Sequence, residues 1–207
     1  MKKKISVLLL GLIFGLALPT SVLFADTVVS TTTTTASATF SLGTLTMNYV
    51  PANFTFGTLP VAISTVTATL GAEDSYDLGV TDSRGGTNGY NVTVKAGKMK
   101  SMDAQHTLGG NNIKLINGST QLVTPGSVEA TAPYVQPIIY VDFVDGSGVS
   151  VPSVVQDAQA NTNQGLLEWK TSWTGNSISL IVLPGEAKAQ TYSTSIIWTL
   201  NDVPPAL

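Results

Sequence analysis

The residues that could carry chemistry are few. His106 is the only histidine, and the chain contains no cysteine. Hydrolysis by a Ser or Cys nucleophile usually needs an adjacent base, but His106 lies in the polar stretch 103–107, which is typical of solvated surface. One histidine without cysteines cannot supply the usual zinc ligands, and disulfides are excluded. We therefore predict no catalytic residue, no metal site and no cofactor.

A pair of carboxylates, Asp142 and Asp145, is the remaining candidate for acid–base chemistry of the kind glycoside hydrolases use. The pair Asp145-Gly146 predicts a turn, while Asp142 falls in the preceding strand, so the two side chains need not converge. The stretch faintly resembles a calcium loop, but the alternating Asp/Asn ligands and the distal Glu are missing. These observations predict that the protein is not an enzyme.

The N-terminus has the layout of a secretory signal peptide. Residues 2–4 are lysines, residues 7–18 form an uncharged apolar run, and Pro19 ends that run before a small residue, Ala25. An uncleaved anchor over residues 5–24 is the alternative, although Pro19 and the short apolar run favour cleavage. We predict a signal peptide over residues 1–25 and a secreted protein.

Cleavage would leave 207 − 25 = 182 residues, enough for one β domain with a sizeable core. All 13 acidic residues remain and three of the ten basic ones are lost, so the mature net charge is 7 − 13 = −6. This acidic excess argues against nucleic acid and against anionic lipid as partners. We predict no nucleic-acid partner and no membrane insertion after cleavage. The absence of cysteines favours a bacterial surface protein.

Frequent glycines and prolines leave intervals that suit strands rather than helices. Period-2 alternation of apolar residues marks four segments, at Tyr76/Leu78/Val80, Tyr90/Val92/Val94, Ile178/Leu180/Val182 and Tyr192/Ile196/Trp198/Leu200. We predict an all-β fold, an antiparallel β-sandwich or barrel-like single domain with long loops. Residues 26–38 read as a Thr/Ser-rich spacer, residues 39–207 as the β domain, and residues 154–165 as a long loop.

The closing strand places Trp198 and Leu200 on one face, and Tyr192 and Ile196 continue that face. Large apolar residues at such positions usually pack into a core. An aromatic face is also suited to binding a sugar. The residues alone leave both interpretations open.

The closing pattern Tyr192-x-x-x-Ile196-x-Trp198-Thr199-Leu200 resembles the proximal motif of the WxL family of surface proteins of low-GC Gram-positive bacteria. Residues 53–60 resemble the early strand of that family. Residues 80–85 and 89–94 resemble its distal motif, in which Tyr90 and Val92 stand where the family usually has Trp and Leu. Residues 182–189 precede the closing strand as the resemblance predicts.

The resemblance implies a secreted protein attached non-covalently to the cell wall, with peptidoglycan as ligand. It also implies partners, namely other WxL proteins and a membrane-anchored surface protein. Its signature residues are Trp198 and Leu200, with Tyr192, Tyr90 and Val92 beside them. The C-terminus carries no sortase signal, so retention is expected to need a binding face. Two hypotheses stay open: a wall-binding module, or an assembly subunit acting through protein contacts. A glycan-processing enzyme is the least supported third.

Overall fold

The computed structural model describes residues 34–72, 74–85, 88–123 and 130–202. The predicted signal peptide, residues 1–25, and the C-terminal residues 203–207 lie outside these ranges. The chain divides into two compact units, Met1–Thr39 and Phe40–Leu207. Of the first unit, residues 34–39 are described, and they are exposed and belong to no strand. The predicted spacer boundary at residue 38 stays a prediction.

The regular elements of the second unit are almost all strands. They are β1 (Leu45–Tyr49), β2 (Val66–Thr69), β3 (Ser75–Asp82), β4 (Tyr90–Ala96), β5 (Lys100–Ser101), β6 (Ile113–Ile116), β7 (Ser119–Leu122), β8 (Tyr134–Val135), β9 (Ile138–Tyr140), β10 (Ser153–Ala158), β11 (Leu167–Thr174), β12 (Ile178–Val182), β13 (Tyr192–Ser193) and β14 (Ile196–Asn201). A single 3₁₀ turn, Gly175–Ser177, joins β11 to β12. No helix in the described ranges has the length and apolarity needed to cross a bilayer.

The strands form three four-stranded sheets and one two-stranded sheet, all antiparallel. Their strand orders are β1-β3-β11-β7, β14-β4-β10-β8, β2-β12-β6-β9 and β13-β5. Buried side chains from the three larger sheets meet in one core. The predicted all-β antiparallel fold is confirmed; of the two predicted architectures, a sandwich or a barrel-like fold, the described sheets fit the sandwich because they do not close into a barrel.

The core follows from the period-2 pattern of the strands. Leu78 and Val80 on β3, Val92 and Val94 on β4, and Ile178 on β12 are each 0% exposed. Burying side chains of this size stabilises a fold by about 1.5–3 kcal/mol each. The alternation read from the sequence therefore located the strands that build the core.

The predicted long loop over residues 154–165 is wrong, because its first half is strand β10. This strand pairs with β4 on one side and β8 on the other, and its residues Val155 to Ala158 are all buried. A strand covered on both faces shows no polar–apolar alternation. The polar residues Gln156 and Asp157 are therefore the reason why this central strand was not predicted.

The early strand expected at residues 53–60 also differs from the structure. The first described strand begins at Leu45, and residues 51–62 form no strand. Residues 53–60 do alternate, since Phe54 and Phe56 pack against the core while Thr55 is exposed. They are not a strand because no neighbouring backbone in the described structure pairs with them.

Candidate functional site

The two WxL-like motifs lie side by side, because β14 pairs antiparallel with β4. In this register Trp198 stands opposite Val94, and Leu200 stands opposite Val92. Strand β14 is the end strand of its sheet, so its other edge pairs with no strand among the described residues. The structure thus brings the proximal signature residues directly against the distal motif.

Burial divides the five predicted site residues into two groups. Tyr90 and Val92 are 0% exposed, so neither can touch a ligand in this conformation. Trp198, Leu200 and Tyr192 are partly buried and pack against the core from its rim. Only these three have side-chain surface available to a partner.

Tyr90 is held in place by contacts on both its ring and its hydroxyl. Its hydroxyl accepts a hydrogen bond from Gln156 Nε2 at 3.0 Å, and burial raises the pKa of this phenol. Gly165 lies against the ring, and a Cβ at that position would come within 2.7 Å of Tyr90 Cε1. Tyr90 is therefore a structural residue that connects β4, β10 and the turn before β11.

Arg84 links the ends of the two motifs through an ion-pair cluster. Its guanidinium donates to both carboxylate oxygens of Asp82, from Nε at 2.9 Å and from Nη2 at 2.8 Å. Its Nη1 donates to Asp202 just past the end of β14, at 2.9 Å. The hydrogen bonds to Asp82 raise the pKa of Arg84, and Asp82 itself is only 1% exposed.

This cluster was not among the predicted site residues, although Asp82 and Arg84 both lie in the distal motif region. The signal that could have located it is the spacing Asp-x-Arg at the end of a strand, which places a carboxylate and a guanidinium within reach of each other. The partner Asp202 is 118 residues away in sequence from Arg84, and only the fold brings them together.

The described part of the chain contains an apolar groove of about 810 Å³. One wall is formed by residues 54–61 and the other by residues 187–192, which include Tyr192. Its floor is apolar, formed by Met99, Leu108, Leu180 and Val182. The hydroxyl of Tyr192 accepts a hydrogen bond from the Lys188 backbone N–H at 2.9 Å, which fixes the second wall.

The residues considered for catalysis are engaged in structural contacts. Asp142 is buried and accepts from the backbone N–H groups of Asn112 (3.0 Å) and Ile113 (2.8 Å). Burial raises the pKa of Asp142, and those N–H groups oppose the rise. Asp145 instead caps its own turn, accepting from Ser147 and Val149, as the predicted turn requires.

A metal site is not formed by the residues that the structure describes, among which no three His, Asp or Glu side chains gather as a metal ion would need. His106 lies in the turn after β5, where its backbone exchanges hydrogen bonds with Ser101. The Ser101 hydroxyl also donates to Asp103 at 2.6 Å. This network positions a turn beside the groove.

An all-β antiparallel domain whose two WxL-like motifs pair on neighbouring strands is the class that the fold and the site define. Comparison with known families makes the class specific: the model of the WxL domain, described as surface cell wall-binding, matches residues 19–204. The chain belongs to the WxL family, whose domains bind the cell wall at the surface. No curated protein and no solved structure matches the chain.

Proposed function

We propose that this protein is secreted and held at the bacterial cell wall by direct, non-covalent binding to peptidoglycan, within a larger surface complex. The observation that carries the proposal is the match of the cell wall-binding family over residues 19–204. Membership in a binding family also supports a non-catalytic role. The partners we propose are other WxL proteins and a membrane-anchored surface protein.

For the contact with the wall we propose the exposed edges of Trp198 and Leu200. Aromatic side chains suit the C–H faces of sugars, and polar groups beside them fix orientation. Asn201 ends the same strand and Asp202 follows it, and Asn201 Nδ2 donates to Asn91 Oδ1 at 2.8 Å. The rim of the sheet therefore offers an aromatic edge next to fixed hydrogen-bonding groups.

Sedimentation tests the function directly. The chain from residue 26 onward is mixed with peptidoglycan sacculi stripped of protein and of secondary wall polymers, then centrifuged. We expect the protein to pellet with the sacculi and to stay soluble without them. Protein that stays in the supernatant at every sacculus concentration would refute direct binding to peptidoglycan.

Three variants test the site. Trp198→Ala should reduce co-sedimentation and, because Trp198 is partly buried, should cost about 1–3 kcal/mol of stability. Trp198→Phe keeps an apolar aromatic ring in the same place and should retain the fold while binding more weakly. Ile197→Ala is the matched control, since Ile197 lies on the opposite face of β14 and is 60% exposed.

The outcomes distinguish an error in the proposed binding site from an error in the proposed wall-binding function. Loss of binding in Ile197→Ala with full binding in Trp198→Phe would move the contact to the outer face of β14. Equal binding by all three folded variants would place the wall contact away from β14 altogether.

A second candidate function, an assembly subunit acting through protein contacts, is favoured by a different observation. The wall of the groove at residues 54–61 exposes backbone groups that no described residue pairs with. Unpaired backbone on either side of Gly57, whose φ of 72° interrupts an extended conformation, offers hydrogen-bonding groups to a partner protein.

A further inference from the structure

The outward face of the sheet β1-β3-β11-β7 carries the aromatic ring of Tyr49. Leu78 and Val80 of β3 are buried in the core, so Gly79 between them lies on the outward face. Its cross-strand partners are Tyr49 on β1 and Lys170 on β11. Residues that stand directly opposite each other share a face of the sheet. Tyr49, Gly79 and Lys170 therefore form one row across three strands on the side away from the core.

The ring of Tyr49 lies flat on the sheet because Gly79 has no side chain. A Cβ at position 79 would come within 2.7 Å of three adjacent ring atoms, Cζ, Cε1 and Cε2 of Tyr49. A position nearly equidistant from three adjacent atoms lies over the ring rather than at its edge, so one face of the ring covers Gly79. A glycine inside a strand often marks such a close approach. Tyr49 is still 38% exposed, so the other face of the ring is turned to solvent.

Hydrogen-bonding side chains flank the ring along the strands. Asn48 Nδ2 donates to Thr81 Oγ1 at 2.8 Å and to Glu168 Oε1 at 3.2 Å. Thr81 and Glu168 are themselves cross-strand partners, in the row on one side of Gly79. An amide, a hydroxyl and a carboxylate are therefore held in fixed positions beside the ring.

The row on the other side of the ring contains a second carboxylate. Asp77 Oδ2 lies 3.6 Å from Lys170 Nζ, and both side chains are partly exposed. Burial, and then the negative charges of Glu168 and Asp77, raise the pKa of Tyr49. Both carboxylates are thus close enough to act on the phenol hydroxyl, and the ring is bordered by charged groups on both sides.

The composition of this face indicates the class of ligand. Protein interfaces have an apolar centre, whereas Tyr49 is the one large apolar residue on the outward face of these four strands. A polyanion needs an excess of cations, but Lys170 is paired with Asp77, and Glu168 adds a negative charge. A sugar ring has an apolar C–H face with hydroxyl groups at its edge. A flat aromatic face bordered by fixed polar groups matches that pattern.

We propose that Tyr49 and the polar side chains beside it form a saccharide-binding platform for a chain of N-acetylated sugars, the class found in peptidoglycan. The ring contacts the C–H face of one sugar, while Glu168, Asp77 and Lys170 bind hydroxyl or amide groups around it. The choice of glycan rests on the proposed wall-binding function. The platform itself is a second site, on a different sheet from β14.

An NMR titration of the chain from residue 26 onward tests the platform, with a soluble tetramer of N-acetylglucosamine as the probe. We expect saturable shifts of the amide signals of Tyr49, Gly79 and Lys170. Tyr49→Leu keeps an apolar side chain over Gly79 but lacks the flat ring, so it should weaken binding at least about tenfold. Tyr49→Phe keeps the ring and should bind within about threefold of the wild type.

Tyr134→Leu is the matched control, since Tyr134 is 51% exposed and belongs to β8 in another sheet. It should bind the sugar as the wild type does. Gly79→Ala changes the support of the ring and none of the groups proposed to touch the sugar. Its methyl group would take the space of the ring, so Tyr49 must tilt away. We expect Gly79→Ala to keep a cooperative thermal transition and to bind as weakly as Tyr49→Leu.

Unchanged spectra at every sugar concentration, or equal affinity in the wild type and a folded Tyr49→Leu, would overturn the platform. Shifts at Tyr49 that follow protein concentration without sugar would assign the face to a second copy of the chain and would overturn it as well. Sedimentation with sacculi is scored separately. A chain that binds the sugar at Tyr49 but does not pellet keeps the platform and refutes wall binding. A chain that pellets but does not bind the sugar refutes the platform and leaves wall binding in place.

Discussion

At the scale of single residues, the buried carboxylate of Asp82 is the most demanding group in the distal motif. It is 1% exposed, and both of its oxygens accept hydrogen bonds from Arg84. A buried charge left without its partner costs far more than an exposed pair contributes. Arg84 is therefore important chiefly because it compensates Asp82.

Replacing Arg84 tests this role. We expect Arg84→Ala to lower the free energy of unfolding by about 3–5 kcal/mol, measured by urea denaturation. Arg84→Lys should recover part of the loss, because an ammonium keeps the charge but cannot donate to both oxygens in the same planar geometry.

Asp202→Asn is the matched control, since Asp202 is 75% exposed at its end of the same cluster. It should change stability by less than about 1 kcal/mol. An Arg84→Ala variant as stable as Asp202→Asn would show that Asp82 does not depend on Arg84 as its partner.

The signature residues show what a sequence motif can and cannot predict at this scale. The alternation correctly put Trp198 and Leu200 on the core-facing side of β14, where they are partly buried. It also put Tyr90 and Val92 on one face of β4, where they are fully buried. The degree of burial could not be read from the pattern, because it depends on β14 being an end strand while β4 lies between two neighbours.

At the scale of elements, the success of the prediction depended on which faces each strand buries. Strands β3, β4 and β12 were predicted because their apolar residues recur at every second position. Strand β10 was missed because its polar residues are buried between two strands, where Gln156 reaches the hydroxyl of Tyr90. The groove was missed because its two walls, residues 54–61 and 187–192, are distant in sequence.

One wall of the groove is connected to the turn after β5 by Asp103. Its carboxylate accepts hydrogen bonds from the Ser101 hydroxyl, from Gln190 Nε2 and from the backbone N–H of Gln105. These bonds, Ser101 first, lower the pKa of Asp103 from 3.8 to about 2. Gln190 belongs to the groove wall, so protonation of Asp103 weakens that connection.

The sign of the pH effect follows from the lowered pKa. The stabilisation is fully present above the unfolded value of 3.8 and is lost as the pH falls through about 2. We expect an NMR titration of the Asp103 carboxyl to give a midpoint near 2, and Ser101→Ala to move it upward. Asp103→Asn should remove this part of the acid dependence of thermal unfolding. A midpoint at the ordinary value in the native chain would disprove the network in solution.

At the scale of the whole molecule, the fold depends on pairing between distant parts of the sequence. The six residues of β14 come at the end of the described chain, yet they pair with β4 near its middle. Strand β4 carries fully buried core residues, including Val92 and Val94. Without β14, one edge of this core strand is left open.

Removing the closing strand tests that dependence. A chain that ends before Ile196 should lose its cooperative thermal transition and aggregate, because it exposes an unpaired edge next to the core. A chain that ends at Asp202 keeps all six paired residues and serves as the comparison. A cooperative transition in the shorter chain, at an unchanged temperature, would show that the core is complete without β14.

The pairing of β14 with β4 also sets the order in which contacts can form during folding. Ile196 pairs with Ala96, so a hundred residues must be synthesised after the first partner before the second exists. Contacts this far apart in sequence form late and slowly. Until the last strand emerges, the growing chain carries a bare strand edge of the kind that associates with other chains. The sheet that contains β4 is therefore completed only once β14 is available to pair, and the family signature is the part that completes it.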